Sequence, residues 1–105
     1  SGLEREEISR GLAAREALIS AKAHDIVPDV IICDIQMPDM NGVEFLKWLY
    51  GQKDFKNIPV IMVTGQAESG YVQECIRLGI FAYLLKPFDE TVYIEKIKEA
   101  AGLTL

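Results

Sequence analysis

Three short apolar runs, each closed by a polar residue, constrain the fold of this chain more than any other feature. They are Val30-Ile31-Ile32-Cys33-Asp34, Ile58-Pro59-Val60-Ile61-Met62-Val63-Thr64 and Ala82-Tyr83-Leu84-Leu85-Lys86. The first two are rich in β-branched residues and apolar on both sides, the pattern of a strand covered on both faces. Between and after the runs, apolar residues recur at helical spacing. Val43, Leu46, Leu49 and Tyr50 predict a helix over 42–51, with Asn41 as its cap. Val72, Cys75 and Ile76 point inward from a helix over about 68–78, and Asp89 caps a last helix on which Tyr93, Ile94, Ile97 and Ala101 share a face. Upstream, residues 3–24 read as one helix of strong helix formers, with Ile8, Leu12, Leu18 and Ile19 on its apolar side and Gly11 as a weak point. Pro28 then forces an extended approach to the first strand. A helix followed by three strand–helix units predicts one α/β domain: a parallel sheet, right-handed crossovers and helices on both faces.

Length and composition agree with that architecture. The 105 residues suit a single domain, and a 50% hydrophobic content excludes a disordered tail. Ser1-Gly2 reads as a tag remnant. No stretch approaches the ~18 apolar residues that a membrane span needs, and no basic-then-apolar leader opens the sequence. Sixteen acidic against eleven basic residues, a net charge of −5, argue against wrapping nucleic acid. Cys33 and Cys75 lack any CxxC or His-rich companion and read as small buried hydrophobes of a reducing compartment, rather than a metal site or a disulfide. Cytoplasm is the expected location. His24 reads as a solvated residue at the end of the first helix, and Trp48 as packing or surface.

In open parallel sheets, ligands bind off the carboxyl ends of the strands. Asp34, Thr64 and Lys86 end the three runs, so a carboxylate, a hydroxyl and an ammonium are predicted to meet at one edge. Each alone has a structural explanation, since something polar must end every strand. Together they suit phosphoryl chemistry. A carboxylate can accept a phosphoryl group as an acyl phosphate, the hydroxyl and ammonium can bond two of its oxygens, and a divalent cation usually covers the third.

The stretches Pro28 to Gly42 (with Cys33-Asp34-Ile35-Gln36-Met37-Pro38 at its centre), Ile58 to Gly65, and Ala82 to Phe88 resemble the response-regulator receiver domains of two-component signalling. The resemblance runs from residue 28 to about 101. It implies a flavodoxin-like (CheY-like) three-layer α/β/α fold and a signalling role without enzymatic turnover. A sensor histidine kinase or phosphotransfer protein is the implied donor, and the output partner is undefined. By the same likeness Asp34 is the phosphoacceptor, and Asp34 with the Gln36 backbone carbonyl contributes to Mg²⁺ binding. Thr64 and Lys86 contact the phosphoryl group, Tyr83 is the aromatic switch, and Lys86-Pro87 is a cis peptide. Tyr83 also reads as an ordinary half-buried strand aromatic.

Upstream of Pro28 the resemblance fails. Receivers open with an apolar strand ending in adjacent carboxylates that hold Mg²⁺, then a helix and a second strand; here Glu6-Glu7 is the only acidic doublet before Asp34. The expectation is an N-terminally incomplete receiver with three clear strands, weakened Mg²⁺ binding and poor phosphorylation. The Asp34 strand would then be an exposed edge, and pairing with a second copy, through that edge or the N-terminal helix, is expected to cover it. Three alternatives stand beside this reading: a pseudo-receiver, a truncated receiver serving as an interaction module, and, more remotely, a haloacid-dehalogenase-type phosphohydrolase. The last requires an acid where Gln36 stands.

Overall fold

The computed structural model describes residues 11–24, 27–34, 41–65 and 70–102. Seven elements follow in order: α1 (Gly11–Ala23), β1 (Ile31–Asp34), α2 (Gly42–Tyr50), β2 (Val60–Thr64), α3 (Gly70–Leu78), β3 (Ala82–Leu85) and α4 (Glu90–Ala100). Helix followed by three strand–helix units is the order the sequence predicts. The part of the expected first helix before Gly11, Ile8 and the Leu12 side chain included, lies outside the described residues, as do Ser1-Gly2.

Local chemistry sets the boundaries. Asn41 accepts a 2.9 Å hydrogen bond from the Glu44 N–H, and Asp89 accepts one of 2.9 Å from the Thr91 N–H, so both predicted caps are in place. At the end of α3, the Gly79 N–H donates to the Ile76 carbonyl (3.1 Å) and the Ile80 N–H to the Cys75 carbonyl (3.3 Å). This paired closure needs a left-handed residue, and Gly79 supplies it at φ 100°. The chain thereby turns directly into β3.

The strands lie in the order β1-β2-β3, all parallel. Ile31 pairs with Val60 and Asp34 with Val63; Ile61 pairs with Ala82 and Thr64 with Leu85. Side chains alternate across such a sheet, so Cys33, Val60 and Met62 share one face. That face packs with Leu18 of α1, Val43, Phe45, Leu46 and Leu49 of α2, Phe55 and Ile58 of the following loop, and Val72 and Cys75 of α3. Ile61, Val63 and Leu84 lie on the opposite face, where α4 packs against β2. The result is three layers with a parallel sheet in the middle.

Burial corrects three expectations. β2 is buried at every position, but β1 is not covered on both sides, because it ends the described sheet and Ile32 remains partly exposed. β3 is likewise an edge, with Tyr83 and Leu85 in solvent on the face where Met62 is covered. Ile76 is 52% exposed rather than inward, since α3 rests against α2, buries Val72 and Cys75 and packs Leu78 at the core's margin. Ile19 is exposed for the same kind of reason: α1 meets α2 along the line of Leu18. In α4 the predicted face, Tyr93, Ile94, Ile97 and Ala101, is half-buried throughout, and no residue of the helix is fully enclosed.

Candidate functional site

β1 delivers Asp34 to its last position, level with Val63, and Thr64 stands one step further on β2. Lys86 follows directly on Leu85, the partner of Thr64. Its backbone N–H donates to the Thr64 carbonyl at 2.7 Å, which locks the end of β3 to the end of β2. Its side chain then spans the edge, and Nζ donates to Asp34 Oδ2 at 2.7 Å. The Asp34 and Lys86 side chains therefore meet at the carboxyl edge of the sheet, and Thr64 ends β2 at the same edge.

The environments of the three groups differ. The Lys86 and Asp34 side chains are 50% and 41% exposed, so their ion pair is bathed in water and open to an incoming group. Thr64 is buried. Beneath Asp34, the Cys33 thiol points into the core and lies 3.4 Å from the Asp34 carbonyl oxygen, to which it donates. Burial, reinforced by the Asp34 charge and by Cys75, pushes the Cys33 thiol up to about 12. Burial also raises the Cys75 thiol. Both cysteines are free and buried, in keeping with their reading as small core hydrophobes.

Tyr83 sits on β3 across from Met62, 41% exposed and, by the strand register, on the sheet face opposite to Asp34. Gln36 lies outside the described residues. Lys86-Pro87 is a cis peptide, as the resemblance implies. His24 is exposed at the end of α1, with its Nδ1 2.9 Å from the Ser20 carbonyl oxygen. Trp48 is half-buried, stands 5.9 Å from the Phe45 ring and carries the Arg15 guanidinium 4.8 Å over its own.

Two ties were not legible in the sequence. One is the direct Lys86–Asp34 bond, which is a consequence of strand register. The other is a 2.9 Å ion pair between Lys47 of α2 and Glu74 of α3, whose partners lie on separate helices and follow no local spacing rule. The Lys47 ammonium holds the Glu74 carboxyl below its ordinary value of 4.5.

A magnesium ion requires several oxygen ligands in near-octahedral array. Among the described residues no three His, Cys, Asp or Glu side chains come together as a metal site. Asp34 offers one carboxylate, and one of its oxygens is already bonded to an ammonium. The described residues do not fit Mg²⁺.

The parallel three-layer fold with a carboxylate–ammonium pair at the carboxyl edge of its sheet defines a class of α/β domain, and comparison with known proteins narrows it. Residues 2–98 match the response regulator receiver domain, and the chain belongs to that family. The match reaches well upstream of Pro28, so α1 is part of the family pattern. The chain is 39% identical over 102 residues to the polar-differentiation response regulator DivK of Brucella ovis, an alignment covering 97% of this chain and 79% of the relative. Chemotaxis response regulator CheY4 of Vibrio cholerae superposes with a TM-score of 0.76 at 35% identity, over 94% of this chain and 78% of that one. The receiver domain of sensor histidine kinase PA1611 from Pseudomonas aeruginosa PAO1, solved with a magnesium ion coordinated in its active-site cleft, shares the fold. Its TM-score is 0.72 at 24% identity, over 90% of this chain and 74% of that chain. The chain is a receiver domain of two-component phosphorelay signalling, with the CheY-like fold. No helix among the described residues is long and apolar enough to cross a membrane.

Proposed function

We propose that residues 1–105 form one receiver domain in which Asp34 accepts the phosphoryl group. The observation that carries this reading is the 2.7 Å Asp34–Lys86 pair at the carboxyl edge of the sheet. In the transfer, an Asp34 carboxylate oxygen forms a bond to phosphorus while the P–N bond of a phosphohistidine breaks and the imidazole leaves with the electron pair. Lys86 turns from the carboxylate to a phosphoryl oxygen, Thr64 supplies a hydroxyl to another, and Tyr83 registers the Thr64 movement. This shifts an existing two-state equilibrium rather than building a new fold.

The donor is a sensor histidine kinase or phosphotransfer protein, and the compartment is the cytoplasm. The domain carries a signal and does not turn over a substrate. Mg²⁺ with the Gln36 backbone carbonyl belongs to the family pattern. A second copy of the chain pairs along β1 or through the N-terminal helix.

Intact mass after incubation with acetyl phosphate tests the acceptor. One phosphoryl group per chain, slowly added and absent in Asp34→Asn, is the expected result. A parent chain that gains none overturns the reading and leaves a docking module of receiver fold.

A further inference from the structure

We propose that Lys86, rather than a divalent cation, is the counter-charge of Asp34 in this chain, so that Mg²⁺ does not bind saturably at this carboxylate. The inference rests on reading Asp34 as the acceptor and extends it to how that acceptor is neutralised. Three observations converge. The described residues bring no set of three metal-ligating side chains together, at this edge or elsewhere. Asp34 Oδ2 is held by Lys86 Nζ at 2.7 Å. The Lys86 backbone is fixed at the same edge, its N–H bonded to the Thr64 carbonyl at 2.7 Å, so its side chain starts within reach of Asp34.

A tethered cation competes with a free one on unequal terms. Mg²⁺ gives up water reluctantly and does so only for a nearly complete set of oxygens. A half-exposed carboxylate that is already paired attracts it through water and salt, where the interaction is weak. Lys86 loses no translational freedom on pairing and needs no further ligands.

The test uses the 105-residue chain and Mg²⁺ alone, followed by amide chemical shifts in NMR, with the magnesium-bearing PA1611 receiver titrated alongside. The parent and Asp34→Asn are expected to give the same non-saturating response over the range in which the PA1611 receiver saturates. Lys86→Met is expected to give a larger Asp34 shift at each Mg²⁺ concentration. A saturable response in the parent that disappears in Asp34→Asn overturns the inference and means that groups outside the described residues complete a metal site. Equal responses from Lys86→Met and the parent overturn it too, by removing Lys86 as the competitor. No phosphodonor is present, so failure here leaves the acceptor reading intact, and failure of the mass experiment leaves this result standing.

Discussion

Lys86 and Asp34 form a bond whose value for stability and value for chemistry point in opposite directions. Exposed ion pairs contribute roughly 0–1 kcal/mol, because water and salt screen them. Lys86→Met is therefore expected to lower unfolding free energy by no more than about 1 kcal/mol in a urea titration, while slowing phosphoryl uptake at Asp34. A stability loss of several kcal/mol would show that the pair holds the sheet edge together instead. Glu74 behaves differently with pH. Its carboxyl is held down by Lys47, so the folded state binds its proton less readily than the unfolded chain does. The stabilisation is then present above the ordinary carboxyl value of 4.5 and disappears as pH falls through the lowered one. Parent and Glu74→Gln are expected to differ in stability at neutral pH and to converge in acid; a gap that persists in acid would refute the assignment. Cys33 follows the opposite rule. Its thiol titrates near 12 in the fold, so its contribution is complete below the ordinary 9.0 and is lost toward 12. Neither cysteine should react with a thiol reagent at pH 8 until denaturant is added.

At the scale of elements, α2 anchors the molecule and α3 leans on it. Leu46 and Leu49 are fully enclosed, and α2 meets both α1 and α3. Leu49→Ala should cost about 2–5 kcal/mol, whereas Ile76→Ala on the exposed side of α3 should stay within about 0.5 kcal/mol. Denaturant midpoints of the two variants check this, and equal losses would contradict the packing described. The contrast also shows what was legible in the sequence. Helical spacing identified Val43, Leu46 and Leu49 because α2 is enclosed along one whole stripe. The same spacing misplaced Ile76 and Ile19, because periodicity gives a helix an apolar side without saying how much of it a neighbour covers. The same spacing leaves Phe45 unmarked for the complementary reason. It lies off the main stripe but is buried, beside the Trp48 ring 5.9 Å away.

For the molecule as a whole, the site was more legible than the packing. Polar residues closing three apolar runs fix a carboxyl edge through topology alone, and the parallel register then brings Lys86 to Asp34 without any further signal. Cover on the outer strands depends on what lies beside them, which no local pattern encodes. In the described sheet only β2 has a strand on each side and is buried throughout, while β1 forms an edge with Ile32 partly exposed. Such an edge presents a row of backbone donors and acceptors that readily take up another strand. The pairing proposed above therefore has a consequence in solution. Light scattering across a concentration series is expected to show the 11.7 kDa chain moving toward twice its mass. Ile32→Lys places a charge on the edge strand, a device that opposes strand addition, and is expected to hold the chain monomeric while leaving Cys33 buried on the opposite face. A parent that stays monomeric at every concentration would remove the edge as a pairing surface. A dimer that survives Ile32→Lys would move the interface from β1 to the N-terminal helix.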